Sequence, residues 1–540
     1  MQSGRRLRAL PTTTERMNVV KMTTISKAVI GAALLGSCSL IGTGIIQAAP
    51  APVSVNWYYP EFNTAVPPNQ NQVQAAVNRI TEKAIGVKVH LIPIPGGGAA
   101  YPQKLSVMLE TGQATGIVWT SSWSLPWTNE VAAKAFLPLN SLIAKYGRGL
   151  TRTLGTKFLK GMAYNGTIYA IPNLQIEAYQ PQLDGEITAS EAKALNLQLA
   201  KLPGGAYEPT KIHTFPALHA FLVNLHKKYP KQIPLVTGQF GTVLFPETYG
   251  YWAVLTGTTN PFFVKMQPSY GKNPPKITLA LNMFRQYIAM LHNWYQQGLI
   301  NQDAGDITAT EAHALQATGT EVLESCNGVP AWNPGNEASG VPKGYLPINL
   351  RITEGPLHGA PIYTGDASTA NAIAAATPAP QRMAAMKLLN LVNTDSQLYN
   401  LIAFGFPKVD YKKIGPNSIV FTAAGAKYFA NDNWAFGNVT RGYTPTSPAY
   451  PKFSWKVMEN INHHAVASPL VGFNFNTTPV QTQLADMAAV EAQWNQPLLA
   501  GVYPVSKLSK FEAAMNAAGQ QVVLKALTRQ FDAWWKATHK

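Results

Sequence analysis

Apolar positions along this chain recur at two spacings that alternate, one near 3.6 residues and one that reads as short unbroken runs. Val53 to Tyr59 predicts a strand ending in Trp57-Tyr58-Tyr59. Asn71 to Ile85 carries Val73, Val77, Ile80 and Ala84 at helical spacing, and Val87 to Ile92 predicts the next strand. Pro93 to Gly98 reads as a turn-rich loop. Tyr101, Leu105, Met108 and Leu109 then share one helical face, with Gly112 as a stop. Ile117-Val118-Trp119 is the brief apolar run of a buried parallel strand, followed by a polar loop, Thr120 to Trp123.

Further on, Leu281 to Gln297 presents Phe284, Ile288, Leu291 and Tyr295 on one face and meets Gly298. Pro380 to Asn393 and Ser396 to Ala403 predict two helices divided at Thr394, a fitting N-cap. The last forty residues read as two amphipathic helices broken at Gly519. Between 406 and 480, Pro, Gly and aromatic residues leave little periodicity to assign. The alternation defines an α/β protein. In open α/β sheets ligands bind beyond the carboxyl ends of strands, which singles out the loop after Trp119.

The amino end follows another logic. Arg5, Arg6, Arg8, Arg16, Lys21 and Lys27 precede an uncharged, mostly apolar run from Ala28 to Ile46, with Ala48 and Ala49 behind it. That order marks residues 1–48 as an export signal, which Met17 or Met22 would begin at a more ordinary length. Leu35-Gly36-Ser37-Cys38 resembles a lipobox with Cys38 as the lipidated residue. The apolar stretch continues past it, so cleavage near Ala48 and an uncleaved anchor compete with lipidation. All three outcomes put the bulk of the chain outside the cytoplasm. No later segment is long and apolar enough to span a bilayer. The 492 residues after position 48 exceed one compact core and predict two lobes. Cys326 is the one cysteine beyond the leader, which removes any intrachain disulfide or thiolate metal site there, and it reads as a small buried hydrophobe.

Six basic residues and one acidic residue fall in the leader, which leaves 37 basic against 26 acidic side chains. The basic residues are scattered, without the clustered stripe that tracks phosphates, so nucleic acid is not expected as a partner. The imbalance comes from a shortage of Asp and Glu. One explanation is an acidic exterior, where carboxylates would titrate and stop stabilising the fold. Catalytic signatures are missing: no HExxH, GxSxG or CxxC occurs, and Gly96-Gly97-Gly98 lacks the Lys-Ser/Thr of a phosphate loop. Adjacent His463 and His464 project in different directions, which disfavours a shared metal. No cofactor, metal or catalytic residue is expected.

Several segments together carry a resemblance. Tyr101-Pro-Gln-Lys-Leu-Ser-Val-Met-Leu, Thr120-Ser-Ser-Trp123, Asn165-Gly-Thr-Ile-Tyr-Ala-Ile-Pro-Asn173 and Trp294-Tyr-Gln-Gln-Gly-Leu-Ile-Asn301 resemble bacterial extracellular solute-binding proteins of family 1, the receptors of ABC importers. The carboxyl end, from Ser468-Pro-Leu-Val-Gly-Phe-Asn-Phe to Phe531-Asp-Ala-Trp534, resembles the DUF3502 tail of one lipoprotein branch of that family. Two departures stand out. Gly116 occupies the place of a common Asp before the apolar run, and Phe475-Asn476 replaces a usual Phe-Asp pair.

The resemblance implies a two-lobed, periplasmic-binding-protein-like type II fold closing about a hinge. Lobe one would be 53–172 plus 360–405 and lobe two 173–359 plus 406–540, with hinge crossings near Ile171-Pro172-Asn173 and Ile362 to Asp366. It implies a monomer that captures a solute for a membrane permease without covalent chemistry. A carbohydrate fits best, because sugar rings stack on aromatics and their hydroxyls want Ser, Asn, Asp or Glu partners. A peptide or another polar solute is the alternative, and a secreted glycan-active enzyme a weaker one, since no carboxylate pair sits in a catalytic motif. Carried over residue by residue, Ser121, Ser122 and Trp123 form the lobe-one wall. Glu177 is an acidic contact after the hinge with Tyr179 beside it, and Trp332 and Trp434 are stacking platforms. Trp57 and Tyr58 end the first strand at the same mouth.

Overall fold

The computed structural model describes residues 51–539, apart from 62–64, 123, 165, 176, 180, 238–245, 255–261, 309–310, 312–314, 316–320, 325–342, 365–368, 429–432 and 447–453. Cys38, Trp123, Cys326, Trp332 and Asp366 therefore lie outside the described residues.

A five-stranded sheet orders Val87–Pro95, Val53–Glu61, Ile117–Ser121, Thr369–Ile373 and Ala170–Pro172. The first three strands run parallel, and Thr369–Ile373 runs antiparallel to both of its neighbours. Ile117–Ser121 is buried at every residue, which is why it opens on the unbroken apolar run Ile117-Val118-Trp119, and Thr120 and Ser121, expected in the loop, complete the strand. Gly116 just before it has φ +98°, and a Cβ there would lie 2.3 Å from the Asn56 carbonyl oxygen. The aspartate expected at this position has no room, because the strand start is pressed against the backbone of its neighbour.

A second sheet of six strands orders Ile233–Val236, Glu321–Glu324, Gln182–Thr188, Tyr345–Arg351, Tyr207–Pro209 and Leu199–Lys201. Helices Phe215–Lys228 and Leu281–Gln296 bury Leu222, Leu225, Tyr287 and Leu291 against one face of it. The carboxyl-terminal helices Gln481–Leu499, Leu508–Ala517 and Gln520–Thr538 close a third core through Met487, Met515, Phe531 and Trp535. Together the sheets and cores make the expected α/β, two-lobed architecture.

Three passages of chain connect the first core with the other two. One runs from Pro172 to Gln182, one from Arg351 to Thr369, and one from Met458 in the first core to Leu470 in the third. Each contributes two residues to a small ribbon, in which Ile362–Tyr363 pairs with Ala178–Tyr179 on one side and Val466–Ala467 on the other. The third passage was not legible in the sequence. Tyr411, Ile419, Tyr428, Phe436, Val439 and Met458 join the core of the first sheet, whereas the expected division gave 406–540 to lobe two.

Local boundaries differ where chemistry overrides pattern. Pro93–Pro95, expected in a loop, extends the strand that begins at Val87, because that strand lies at the sheet edge where a missing N–H costs nothing. The following helix starts at Gly97, ahead of the apolar face that announced it. The helix Ser396–Phe404 is capped by Asp395, whose carboxylate accepts from Leu398 N at 2.9 Å, and not by Thr394. Gly298 and Gly519 sit at φ +72° and +92°, the left-handed geometry that ends helices.

Candidate functional site

The carboxyl ends of the parallel strands in the first sheet meet a buried amide network. Asn371 accepts from Trp57 Nε1 at 2.8 Å and donates to Asn173 Oδ1 and to the Ala435 carbonyl, both at 2.8 Å. Asn173 donates to Thr369 Oγ1 and to the Ala435 carbonyl, each at 3.2 Å. Gln175 donates to the same Thr369 oxygen at 3.1 Å, and Thr369 donates to the Trp434 carbonyl at 3.4 Å. The network thereby pins the 3₁₀ turn Asn433–Ala435 onto the strand ends. Buried amides justify their desolvation only when paired, and these pairs fix one geometry.

That turn presents Trp434. Its ring is half-buried and meets Trp119 edge-on, with centroids 5.6 Å apart, while Phe436 two residues on packs against Trp57 and Tyr59. Beside it the loop after Trp119 is held locally. Ser121 Oγ accepts from Ser124 N at 2.7 Å, and Ser121 N donates to the Leu125 carbonyl at 3.2 Å. Ser121 is buried and Ser122 half-exposed.

On the hinge side, Asn462 accepts from Glu177 N at 2.8 Å and from Ala178 N at 3.2 Å, and donates to the Gln175 carbonyl at 2.8 Å. The asparagine thus ties the first and third passages together. Tyr179 donates its hydroxyl to Glu247, a carboxyl just 2 % exposed. Burial pushes the Glu247 carboxyl up to about 7, with the Tyr179 hydrogen bond pulling the other way. Burial likewise raises the Tyr179 phenol well above its ordinary value, and the neighbouring Glu247 charge adds to it.

Apart from Tyr179, which turns to Glu247, the described residues among those expected fall into two groups. Ser121, Ser122, Glu177 and Trp434 gather around Thr369 and Gln175 at the strand ends. Trp57 and Tyr58 do not open on that mouth. Trp57 has no exposed surface and holds Asn371 from beneath, and Tyr58 is 6 % exposed with its hydroxyl accepting from Asn56. Both are core residues because their strand is covered on two faces. Asn173, Gln175, Thr369, Asn371 and Asn462 carry the polar framework and were missed. Isolated amides give no spacing signal, and their partners lie up to 314 residues away. Among the described residues no group of three His, Cys, Asp or Glu side chains is placed to hold a metal ion.

Comparison with known proteins bears on this geometry. A family model described as a domain of unknown function, DUF3502, matches residues 469–536. The fold is that of the extracellular solute-binding proteins. A crystal structure of the N-glycan transport solute binding protein (NgtS) from Streptococcus pneumoniae matches with a TM-score of 0.71 at 19% identity, over 90% of this chain and 100% of that one. An HMO binding, ABC-transporter associated solute binding protein from Bifidobacterium longum infantis matches with a TM-score of 0.61 at 16% identity, over 90% and 99%. In sequence, a Streptococcus pneumoniae protein named carbohydrate ABC transporter substrate-binding protein is 23% identical over 474 residues, or 87% of this chain and 89% of the relative. The resemblance read from the motifs is thus borne out in both its parts, the solute-binding fold and the DUF3502 tail. In this solute-binding fold the tail corresponds to the helices that close the third core.

Proposed function

We propose that this chain is the extracytoplasmic receptor of an ABC importer, and that it captures an oligosaccharide between its two lobes. The observation that carries the reading is Trp434, a half-buried indole fixed by an amide network at the carboxyl ends of the first sheet. A rigid indole beside amide and hydroxyl groups offers a sugar its apolar face and its hydroxyl partners together. The printed names of the relatives support the same class: NgtS was also crystallised with Man5GlcNAc, and the sequence relative is named for carbohydrate transport. In this reading Ser121, Ser122 and Trp123 wall the site from lobe one, while Glu177, Tyr179 and Trp332 approach from the hinge and lobe two. Lobe one comprises 53–172 with 369–458, and lobe two comprises 182–352 with 470–540. The membership of Tyr411 to Met458 in the first core supports that division. The receptor does no covalent work, acts as a monomer with a membrane permease, and is exported by its leader, with lipidation at Cys38, cleavage near Ala48 and an uncleaved anchor as the three outcomes that mass spectrometry of the mature amino terminus separates.

A thermal-shift screen of oligosaccharides and peptides tests the proposal. Oligosaccharides should raise the melting temperature, by about 2.7 kcal/mol of stabilisation at one hundred times the Kd. Stabilisation by peptides alone would replace the sugar reading. Affinity unchanged in both Trp123→Ala and Trp332→Ala would remove the site assignment.

A further inference from the structure

One face of the first lobe is free of acidic side chains over two long stretches that pack together. Residues 131–176 and 367–394 contain eight Lys and Arg and no Asp or Glu. Helices Asn140–Tyr146 and Arg148–Leu154 lie against helix Ala379–Val392: Leu150 N donates to Asn390 Oδ1 at 2.9 Å, and Gly149 abuts Thr394. Lys134, Lys145, Arg148, Arg152 and Lys160 are exposed. Lys145 and Lys387 approach the same Tyr146 ring, at 5.3 and 5.9 Å from its centroid. The acids at its margin are Glu130, buried one residue before Val131 with its backbone carbonyl accepting from Ala135 N, exposed Glu110 near it, Asp395 and Glu82. Asp395 caps the next helix, and Glu82 stands on helix Gln70–Ile85, which borders the face together with Arg79 and Lys83.

The entry of the chain into this lobe lies at one edge of that face. Val53 begins the strand that reaches Asn56, which contacts Gly116. Gly116 N donates to Thr377 Oγ1, and Arg382 Nε donates to the Thr377 carbonyl at 2.6 Å. Ala375 N donates to the Ala135 carbonyl, next to Lys134. Strand geometry puts Val53 about 10 Å from Asn56. Fifty residues precede Ala51, and they contain the apolar run Ala28 to Ile46.

We propose that this face rests on an anionic phospholipid surface. The leader delivers the chain to a membrane at the edge of the face, and exposed cations spread over several helices match a diffuse negative surface better than any single anionic ligand. Each Lys or Arg near such a surface adds a favourable contribution that salt screens. Lobe one would then lie against the bilayer while lobe two moves.

The test uses the full chain with phosphatidylglycerol vesicles and with neutral phosphatidylcholine vesicles, so that any contribution of the leader is common to both. The ratio of the two partition coefficients should fall at least tenfold in the variant Lys145→Glu/Arg148→Glu/Arg152→Glu. It should fall less far, in proportion, when the same residues become Gln. The control Lys510→Glu/Lys525→Glu/Lys536→Glu changes net charge equally on the exposed carboxyl-terminal helices and should leave the ratio within about twofold. An equal fall in face and control variants, or an unchanged ratio in the face variants, overturns the proposal. So does tighter binding to dextran sulfate than to the vesicles, which would make a soluble anionic polymer the occupant. Solute affinity measured on the same variants stays at its original value if the face is separate from the binding site.

Discussion

At the scale of single residues, the tryptophans divide by what lies beneath them. Trp57 and Trp119 are fully buried, and Trp434 rests half-exposed on Trp119. The first two hold the lobe together and the third is the proposed solute platform. Trp57→Ala should therefore lower stability by about 3–5 kcal/mol, since it leaves a cavity and orphans the Asn371 oxygen. Trp434→Ala should weaken solute binding at least tenfold, a loss of about 1.4 kcal/mol, with a smaller change in stability. Urea unfolding and calorimetric titration on the two variants separate the roles. A comparable loss of affinity in Trp57→Ala at full folding would reverse the assignment.

Among elements, the decisive ones are short. The ribbon of Ala178–Tyr179, Ile362–Tyr363 and Val466–Ala467 gathers the three passages between the first core and the other two, so bending there moves one body against the other without breaking either sheet. The start of strand Ile117–Ser121 is equally constrained. Gly116 has positive φ and lies against the Asn56 backbone, so Gly116→Ala should cost about 2 kcal/mol or more and displace the loop that carries Ser121 and Ser122. A melting temperature equal to that of the unsubstituted chain would show that the strand can shift to admit a methyl group.

For the molecule as a whole, the sparse carboxylates set the response to pH. Glu130 and Glu247 are buried, and both carboxyls are pushed up to about 7 by burial, with Glu110 adding to the effect on Glu130. Their folded values thus lie above the ordinary 4.5. For such an acid the protonated form suits the fold. Stability from these groups is complete below about pH 4.5 and is lost as pH rises through 7, at most about 3 kcal/mol for each. The melting temperature should accordingly climb as the buffer is taken from pH 8 to pH 5. Glu130→Gln combined with Glu247→Gln should flatten the profile. A melting temperature that falls steadily over that range in the unsubstituted chain would contradict both this account and an adaptation to acidic surroundings.

Much of this architecture was written in the order of residues. Apolar period and glycine stops located the helices 70–85, 281–296 and 520–538, and the unbroken run before Thr120 identified a central strand, because these signals depend on neighbours within a few positions. Family motifs supplied the two-lobed fold, and with it the proposed contacts Ser121, Ser122, Glu177 and Trp434. Tertiary structure alone decided which body the segment from Tyr411 to Met458 joins, and that Trp57 and Tyr58 are covered. It alone assembled Asn173, Thr369, Asn371 and Asn462 into one framework. The physical reason is range: a strand or helix is stabilised by contacts close in sequence, whereas burial and amide pairing depend on partners brought together only when the sheets close.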